Sequence, residues 1–315
     1  MRVIYIFVAL AFLNIPFAIG QDRYPIKTIE LILPYAAGGG VDAMARAFAR
    51  EASKVTDSSW IVVNKDGAAG LVGFTSLANS SPDGHTLVFS PASPIVISPF
   101  VTKNMPFKVE KVTPICQVFE NVFTISVRND SPIKSLSDLI QLAKASPGKI
   151  SYGHAGTGSV PHLSIGALEK NLGIKFNSIP YRGDGSMLPQ LLSGDLDFGA
   201  PAVSSIGGKS IRVLAVLSDK RHPGTPDAPS ITQIGFPSVT PGLNGIYAPT
   251  GTSSAVLEKL QGICQKVVDS EDFKKSAQSL QQTPAYLNAV QFKQRLDDVY
   301  RLNSELVPSM NLEKN

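Results

Sequence analysis

Short apolar runs alternate with amphipathic stretches over most of this chain, which indicates strands alternating with helices. The runs Ile29 to Leu33 and Trp60 to Asn64 are mostly apolar, as in buried parallel strands. Between them, the apolar residues from Met44 to Ala49 fit one face of a helix. A second series begins near residue 149, where the segment Val160 to Leu172 predicts a helix between two short strands. The pattern therefore predicts an α/β protein.

A turn of small residues follows the first predicted strand, and a similar turn follows the second. Gly38 to Gly40 precede Asp42, which opens the first predicted helix, and residues 65–70 form the second turn. Unpaired N–H groups converge at a helix N-terminus, where the helix dipole is positive, and glycine lets a ligand approach the backbone. The contiguous glycines match neither the dinucleotide nor the phosphate-loop motif. The turn is thus either an anion site or a tight connection without a ligand.

The order of segments predicts two lobes. A second glycine-rich loop, Gly153 to Ser159, precedes the helix of the second α/β series. The segment Gly235 to Tyr247 is rich in proline and glycine and predicts a return crossing, after which the chain from Thr252 onward is expected to be helical and to pack on the first domain. We assign residues 21–120 with 245–315 to lobe 1 and residues 121–244 to lobe 2. Two lobes around a polar cleft are typical of a hinge-closing binding protein.

The amino-acid composition further limits the class of protein. The 315 residues are 43% hydrophobic and 17% charged, as in a globular chain long enough for two domains. The net charge is +4 without a basic block, so a nucleic-acid partner is not indicated. Residues 1–20 combine Arg2, an apolar run and a small residue before Gln21, which predicts a signal peptide and export to the periplasm. A membrane anchor is the alternative, but Pro16 interrupts the short apolar run.

Catalytic and metal-binding patterns are weak. Cys116 and Cys264 could pair in an oxidising compartment, but we expect two buried thiols that act as small hydrophobic residues. The histidines lack metal-site spacing and no HExxH or CxxC motif is present, so we expect no metal and no cofactor. A hydrolase built on Ser93 or Ser159 is a remote alternative, because the chain has no G-x-S-x-G elbow. We therefore expect a binding protein and not an enzyme.

Motifs along nearly the whole mature chain resemble the periplasmic solute receptors of tripartite tricarboxylate transporters, often called Bug receptors. They include YPIKTIELILPYAAGGGVDAMAR, SPDGHTLVFS, ISYGHAGTGSVPHLS, IPYRGDG, LLSGDLDF, IRVLAVLSDKR and GIYAPTGT. The resemblance implies a type II-like periplasmic binding protein fold, with two Rossmann-like domains joined by a two-crossing hinge. It implies capture of a small carboxylate and delivery to integral membrane subunits, and we expect a monomer. A periplasmic sensor with the same fold is the alternative.

The resemblance also implies which residues bind the ligand, mainly through backbone groups of the first two loops and through the opposite lobe. The second loop departs from the family's usual N-R-P-G-A-G at Lys65 and Asp66, which leaves the identity of the carboxylate open. The expected ligand-binding residues are Tyr35, Ala36, Gly38, Gly39, Gly40, Asp42, Gly67, Ala68, Ser93, Ala155, Thr157, Ser159, Arg182, Asp184 and Ala200.

Several polar side chains near these loops have a structural alternative. Asp42 enters a helix, where an acidic residue is more often a cap than a ligand contact. Arg182 could clamp a carboxylate, but a salt bridge is favoured. Asp184 either contacts a cationic group of the ligand or is a solvated loop charge, and it would repel a tricarboxylate. We expect His154 and His162 to be structural histidines with satisfied ring nitrogens.

Overall fold

The computed structural model describes residues 24–236, 242–282 and 284–309. The predicted signal peptide, residues 1–20, lies outside the described residues. The strands are β1 (Ile29–Leu33), β2 (Trp60–Asn64), β3 (Thr86–Pro91), β4 (Val112–Asn121), β5 (Phe123–Arg128), β6 (Ser151–His154), β7 (Asn177–Pro180), β8 (Phe198–Gly199), β9 (Ile211–Leu217), β10 (Gly242–Pro249) and β11 (Pro284–Leu287). The helices are α1 (Gly40–Thr56), α2 (Leu71–Ala78), α3 (Ser93–Val96), α4 (Ser98–Val101), α5 (Leu136–Ala145), α6 (Val160–Leu172), α7 (Asp184–Ser193), α8 (Val203–Ile206), α9 (Ser254–Asp269), α10 (Glu271–Ser279) and α11 (Ala289–Ser309).

The first sheet has the strand order β11-β4-β10-β3-β1-β2. β1 is parallel to both β2 and β3, with Leu31 opposite Val62 on one side and Leu87 on the other. β10 is antiparallel to β3 and β4, and β11 is antiparallel to β4 at the edge. Because β1, β2 and β3 run in the same direction, the turns that follow them lie along one edge of the sheet.

Helices cover both faces of this sheet, which explains why β1 is apolar almost throughout. Ile32 shares a core cluster with Phe74 of α2 and Phe292 of α11. Leu31 shares the other cluster with Phe48 of α1 and with residues of α9 and α10. Full burial of one such side chain contributes about 1.5–3 kcal/mol to stability. The C-terminal helices therefore pack on the first lobe, as the sequence predicts.

The second sheet has the order β7-β6-β8-β5-β9 and is also mixed. β6 is parallel to β7 and β8, whereas β5 is antiparallel to β8 and β9. Leu139 of α5 and Leu163 of α6 belong, with Ile125 of β5, to the same core cluster as Ile32 of the first sheet, so this cluster spans both lobes. Met187 and Leu191 of α7 form a separate cluster. The two mixed sheets with flanking helices confirm the predicted α/β, two-lobed fold.

The chain passes from the first sheet to the second through a single residue. β4 ends at Asn121 in the first sheet and β5 begins at Phe123 in the second, so only Val122 lies between them. The return is made after β9, and the chain re-enters the first sheet at Gly242. Within the described ranges, no helix is both long and apolar enough to cross a membrane.

Two C-terminal segments differ from the sequence-based expectation. The predicted crossing from Gly235 to Tyr247 contains most of β10, a strand of the first sheet whose residues are all buried. A Cβ at Gly245 would lie 2.3 Å from the Phe292 ring and 2.5 Å from the Cys116 carbonyl oxygen, so glycine serves close packing here and not a flexible connection. The region after Thr252 is not wholly helical, because β11 interrupts it. β11 forms by pairing with β4, a partner that lies far away in sequence.

The expectation of two free thiols is wrong, because Cys116 and Cys264 form a disulfide bond. Cys116 lies on β4 and Cys264 on α9, and both belong to the same core cluster of the first lobe. The packing of α9 against β4 brings together two residues that are separated by 148 positions. Spacing along the chain could not have shown this contact.

Candidate ligand-binding cleft

A cavity with about 480 Å³ of empty space, part of it open to solvent, lies between the two lobes. Residues that precede or begin helices of both lobes form much of its wall. The sequence-predicted site residues that line it are Tyr35, Ala36, Gly39, Gly40, Asp42, Ser93, Ala155, Ser159 and Asp184. The wall also contains Val41, Pro91, Asn121, Phe123, Val160, Pro161 and Gly183, which the sequence analysis did not single out.

Three helices of eight or more residues begin at this cavity. α1 begins at Gly40, α6 at Val160 and α7 at Asp184, and each of these residues lies in the cavity wall. An α-helix carries the equivalent of about half a positive charge at its N-terminus. Three N-termini, two from the second lobe and one from the first, therefore create a positive potential in the cavity. Such an arrangement favours an anionic ligand group.

Two residues of the cavity wall, Asn121 and Ser159, carry buried polar atoms without protein partners. Asn121 is 4% exposed and Ser159 is 3% exposed. Neither the side-chain amide of Asn121 nor the Ser159 hydroxyl has a hydrogen-bond partner among the residues that the structure describes. Ser159 is the N-cap residue of α6, yet its side chain makes no capping hydrogen bond. Because an unsatisfied buried polar group costs about 1–3 kcal/mol, these groups favour a polar ligand that completes their hydrogen bonds.

Only one of the two carboxyl oxygens of Asp184 has hydrogen-bond partners among the described residues. Its Oδ2 accepts hydrogen bonds from the Ala202 amide at 2.9 Å and from the Ser205 hydroxyl at 2.6 Å. Its Oδ1 is buried and has no hydrogen-bond partner within the described ranges. Burial raises the pKa of the Asp184 carboxyl, and the hydrogen bonds from Ser205 and Ala202 act in the opposite direction. The expectation of a solvated loop charge does not fit this arrangement.

The two lobes touch each other around the cavity. The Ala36 amide of the first lobe donates to the Arg182 carbonyl oxygen of the second at 2.8 Å. The Gly40 amide donates to the Ser205 hydroxyl, also at 2.8 Å, so Ser205 connects the start of α1 to the Asp184 carboxyl. A Cβ at Gly40 would lie 2.0 Å from the Ser204 hydroxyl oxygen. Only glycine at this position permits the observed approach of the lobes.

The hydroxyls of Tyr35 and Ser93 form another polar part of the wall. The Tyr35 hydroxyl donates to the Ala69 carbonyl oxygen at 3.2 Å and lies 3.4 Å from the Ser93 hydroxyl. Burial raises the pKa of Tyr35 to about 12, so its side chain is a neutral phenol at physiological pH. On the apolar side, the cavity is lined by Phe123, Val160 and other apolar residues. The cavity thus offers hydroxyl groups and an apolar surface together.

Asp42 makes structural hydrogen bonds at the start of α1, but it is not the helix cap that the sequence analysis favoured, because the N-cap residue is Gly39. Its Oδ2 accepts hydrogen bonds from the Gly38 amide at 3.1 Å and from Arg46 Nε at 3.0 Å. Its Oδ1 accepts from Arg46 Nη2 and from Asn64 Nδ2, each at 3.0 Å. Burial by itself raises the pKa of Asp42, but the hydrogen bonds from Arg46, Asn64 and Gly38 outweigh it and the pKa is lowered. Because Arg46 neutralises it, Asp42 adds little net charge to the cavity. The helix begins at Gly40, two residues earlier than predicted.

The other expected site residues lie around the cavity and not in its wall. The Arg182 side chain is 74% exposed and lies 3.6 Å from Asp66, in agreement with the favoured salt bridge. Gly38 lies in the wall of a second cavity behind the glycine turn. Ala200 is buried, and its amide donates to the Gly153 carbonyl oxygen. Gly67 and Ala68 form the turn after β2, and Thr157 lies partly buried in the second glycine-rich loop.

His154 and His162 are structural, as expected. Their rings stack with centroids 4.5 Å apart behind the second glycine-rich loop. The two His154 nitrogens lie 2.9 Å from the Gly156 carbonyl oxygen and 2.8 Å from the Ser178 hydroxyl, and His162 accepts from the Gly158 amide. Burial lowers the pKa of His154 to about 3 and that of His162 to about 4, so both rings are neutral at physiological pH. They support the loop that carries Ser159.

Fold and cleft together define a two-lobed solute-binding protein. The family model described as TctC, tripartite tricarboxylate transporter family receptor, matches residues 44–312, and the chain belongs to this family. A Cupriavidus necator protein called "UPF0065 protein in gbd 5'region" is 31% identical over 97% of this chain and 94% of its own length. BugT of Bordetella pertussis is 30% identical over 86% of this chain and 85% of its own. The structure of the periplasmic binding protein BugD is 28% identical, covers 93% of this chain and 100% of its own, and superposes with a TM-score of 0.87.

Proposed function

We propose that this protein is a periplasmic receptor that captures a small carboxylate in the cleft and delivers it to the integral membrane subunits of a tripartite tricarboxylate transporter. Organic acids, aromatic acids and amino acids are the candidate ligands. The observation that carries the proposal is the convergence of three helix N-termini on a cavity with unpaired buried polar groups. Family membership supports the transport role.

Ligand capture proceeds by closure of two rigid bodies. We assign residues 24–121 and the chain from Gly242 onward to the first body, and residues 123–236 to the second. Asn121 and the start of β10, which the sequence-based boundaries give to the second lobe, thus belong to the first. The ligand carboxylate occupies the positive region at the starts of α1, α6 and α7 and accepts hydrogen bonds from Asn121 and Ser159. Because these groups come from both lobes, the ligand binds the closed form more tightly than the open form, and it shifts the population toward closure.

A thermal-shift screen of small carboxylates, followed by calorimetric titration of the hits, tests the proposal. A ligand present at a hundredfold excess over its Kd stabilises the folded state by about 2.7 kcal/mol. Ser159→Ala should weaken binding of the best hit by about 10- to 150-fold, because it removes one hydrogen bond to a charged group. Ser193→Ala, at the exposed end of α7, is the matched control and should bind like the wild type. If no carboxylate raises the melting temperature, the receptor proposal fails.

A further inference from the structure

The charge of the cavity wall is unusual for a site that would hold an acid with several carboxylates. Among the residues that line the cavity, the charged ones are Asp42 and Asp184, and Arg46 neutralises Asp42. The Arg182 guanidinium, which could have balanced Asp184, points to Asp66 and is largely exposed. Lys209 of the second lobe acts on the Asp184 carboxyl only at a distance, through a Coulombic effect weaker than that of burial, and it does not line this cavity. One acidic group therefore remains uncompensated beside three helix N-termini.

Asp184 lines the cavity, and the fold uses only one of its two carboxyl oxygens. The fold uses Oδ2, which receives the Ala202 amide and the Ser205 hydroxyl and so fixes the orientation of the carboxyl plane. The buried Oδ1 has no hydrogen-bond partner among the described residues, which leaves one acceptor of this wall residue unused. A second carboxylate of a ligand at this position would face a like charge, which disfavours its binding. A protonated amine would instead donate a charge-assisted hydrogen bond to Oδ1.

Building on the receptor function proposed above, we infer that the ligand carries a protonated amine as well as a carboxylate, and that Asp184 Oδ1 recognises the amine. The carboxylate lies at the helix N-termini, where Asn121 and Ser159 supply donors, and the ammonium group lies at Asp184. A zwitterion matches both features of the cavity: positive helix ends and one uncompensated acidic oxygen. The favoured substrate class is thus an amino acid. Asp184 is its specificity-determining residue.

Calorimetric titration of matched ligand pairs tests this assignment. L-aspartate with succinate, L-glutamate with glutarate, and L-phenylalanine with 3-phenylpropanoate each differ by one amine. For at least one pair, the wild type should bind the amine-bearing member about 10- to 100-fold more tightly, as expected for a hydrogen bond between charged groups in a desolvated site. Titrations in two buffers that differ in ionisation enthalpy report whether binding takes up a proton, and for the amino acid no uptake is expected.

Asp184→Asn is the informative variant. The amide oxygen of asparagine can accept from Ala202 and Ser205, while its NH2 group turns a cavity acceptor into a donor. The variant should lose the preference for the amine and bind the amine-free partner at least as tightly as the amino acid. Asp66→Asn removes a negative charge at the Arg182 salt bridge outside the cavity. It is the control and should keep the wild-type ratio.

The outcomes separate this inference from the receptor function. The inference is wrong if amine-free acids bind as tightly as their amino-acid partners, or if they bind with uptake of one proton. Asp184 would then be a neutral donor to a ligand carboxylate, and the receptor function would still stand. An unchanged ratio in Asp184→Asn contradicts the inference in the same way. Should that variant fail to fold, the wild-type ratios and proton uptake still decide. If no carboxylate binds, with or without an amine, both proposals fail.

Discussion

At the scale of single residues, the second glycine-rich loop depends on two buried, neutral histidine rings. His154 is fully buried, and it contacts the Gly156 carbonyl oxygen and the Ser178 hydroxyl through its two nitrogens. A charged imidazolium at this position would lose its hydration and would lie against His162. Burial therefore depresses the pKa of His154 to about 3. The folded state takes up this proton only at strongly acidic pH.

This depressed pKa predicts a stability that falls on acidification. In the unfolded chain His154 titrates near pH 6.5, so between pH 6.5 and about 3 the unfolded state binds more protons and stability decreases as the pH falls. From pH 7 to pH 5 the loss should be about 2 kcal/mol for this ring. Urea unfolding at both pH values measures it. His154→Asn should lose less unfolding free energy than the wild type between these two pH values. Ser178→Ala keeps the imidazole ring, so its unfolding free energy should depend on pH as in the wild type. An unchanged slope in His154→Asn would contradict the assignment.

Residue-scale predictions from the sequence came close where a local partner explains the residue. Asp42 accepts from Gly38 and Arg46, which are near it in sequence, but it lies in the first turn of α1 and the N-cap is Gly39. Asn121 was missed, because nothing in the sequence near it shows that its amide will lie in an interlobe cavity. The one signal was its position at the predicted boundary between the lobes, directly after residue 120.

At the scale of elements, α9 is tied to β4 by packing and by a covalent bond. Leu260, Ile263 and Val267 of α9 lie in the same core cluster as Val118 and Phe119 of β4. The disulfide between Cys116 and Cys264 joins the two elements across 148 positions of sequence. Such a cross-link acts mainly by limiting the unfolded chain, and the effect grows with the length of the loop that is closed. The bond lies in the first lobe, away from the cavity wall.

The double variant Cys116→Ala, Cys264→Ala should therefore lose stability and keep ligand affinity. Chain entropy predicts a decrease of up to about 5 kcal/mol in the free energy of unfolding for a loop of this length. Urea unfolding of the oxidised protein, the reduced protein and the double variant measures the effect, and calorimetric titration measures affinity. The reduced wild type is the matched control and should resemble the double variant. A large change in Kd would show that the bond also shapes the cleft.

At the scale of the whole molecule, glycine makes the close contact of the two lobes possible. Gly39 and Gly40 at the start of α1 lie against Gly185 and Ser204 of the second lobe. The hydrogen bonds from Ala36 and Gly40 cross the same interface. Each lobe has its own sheet, although one core cluster contains residues of both lobes. We therefore expect that a side chain added at the glycine contact disturbs the approach of the lobes and leaves both sheets folded.

Gly40→Ala should weaken ligand binding and leave the stability of the free protein largely intact. Its Cβ would lie 2.0 Å from the Ser204 hydroxyl oxygen and 2.9 Å from the Ser204 backbone, so the closed form is disfavoured. Apparent affinity falls in proportion to the closed population, and we expect a loss of about tenfold or more. Calorimetric titration and small-angle scattering with saturating ligand measure affinity and compaction. Gly262→Ala, on α9 with no atom within 4 Å of the added Cβ, is the control. Wild-type affinity in Gly40→Ala would rule out closure at this contact.

The sequence by itself determined the α/β alternation, the two glycine-rich loops and the helices that follow them. These features depend on hydrophobic periodicity and on local backbone preference, and residues that are close in sequence determine both. Only the tertiary structure decided that β10 and β11 belong to the first sheet, that the two cysteines pair, and that Asn121, Ser159 and Asp184 share one cavity. Each of these features depends on partners far away in sequence. For Asp184, Ser205 and Ala202 donate hydrogen bonds to Oδ2, and the buried Oδ1 is left without a partner among the described residues.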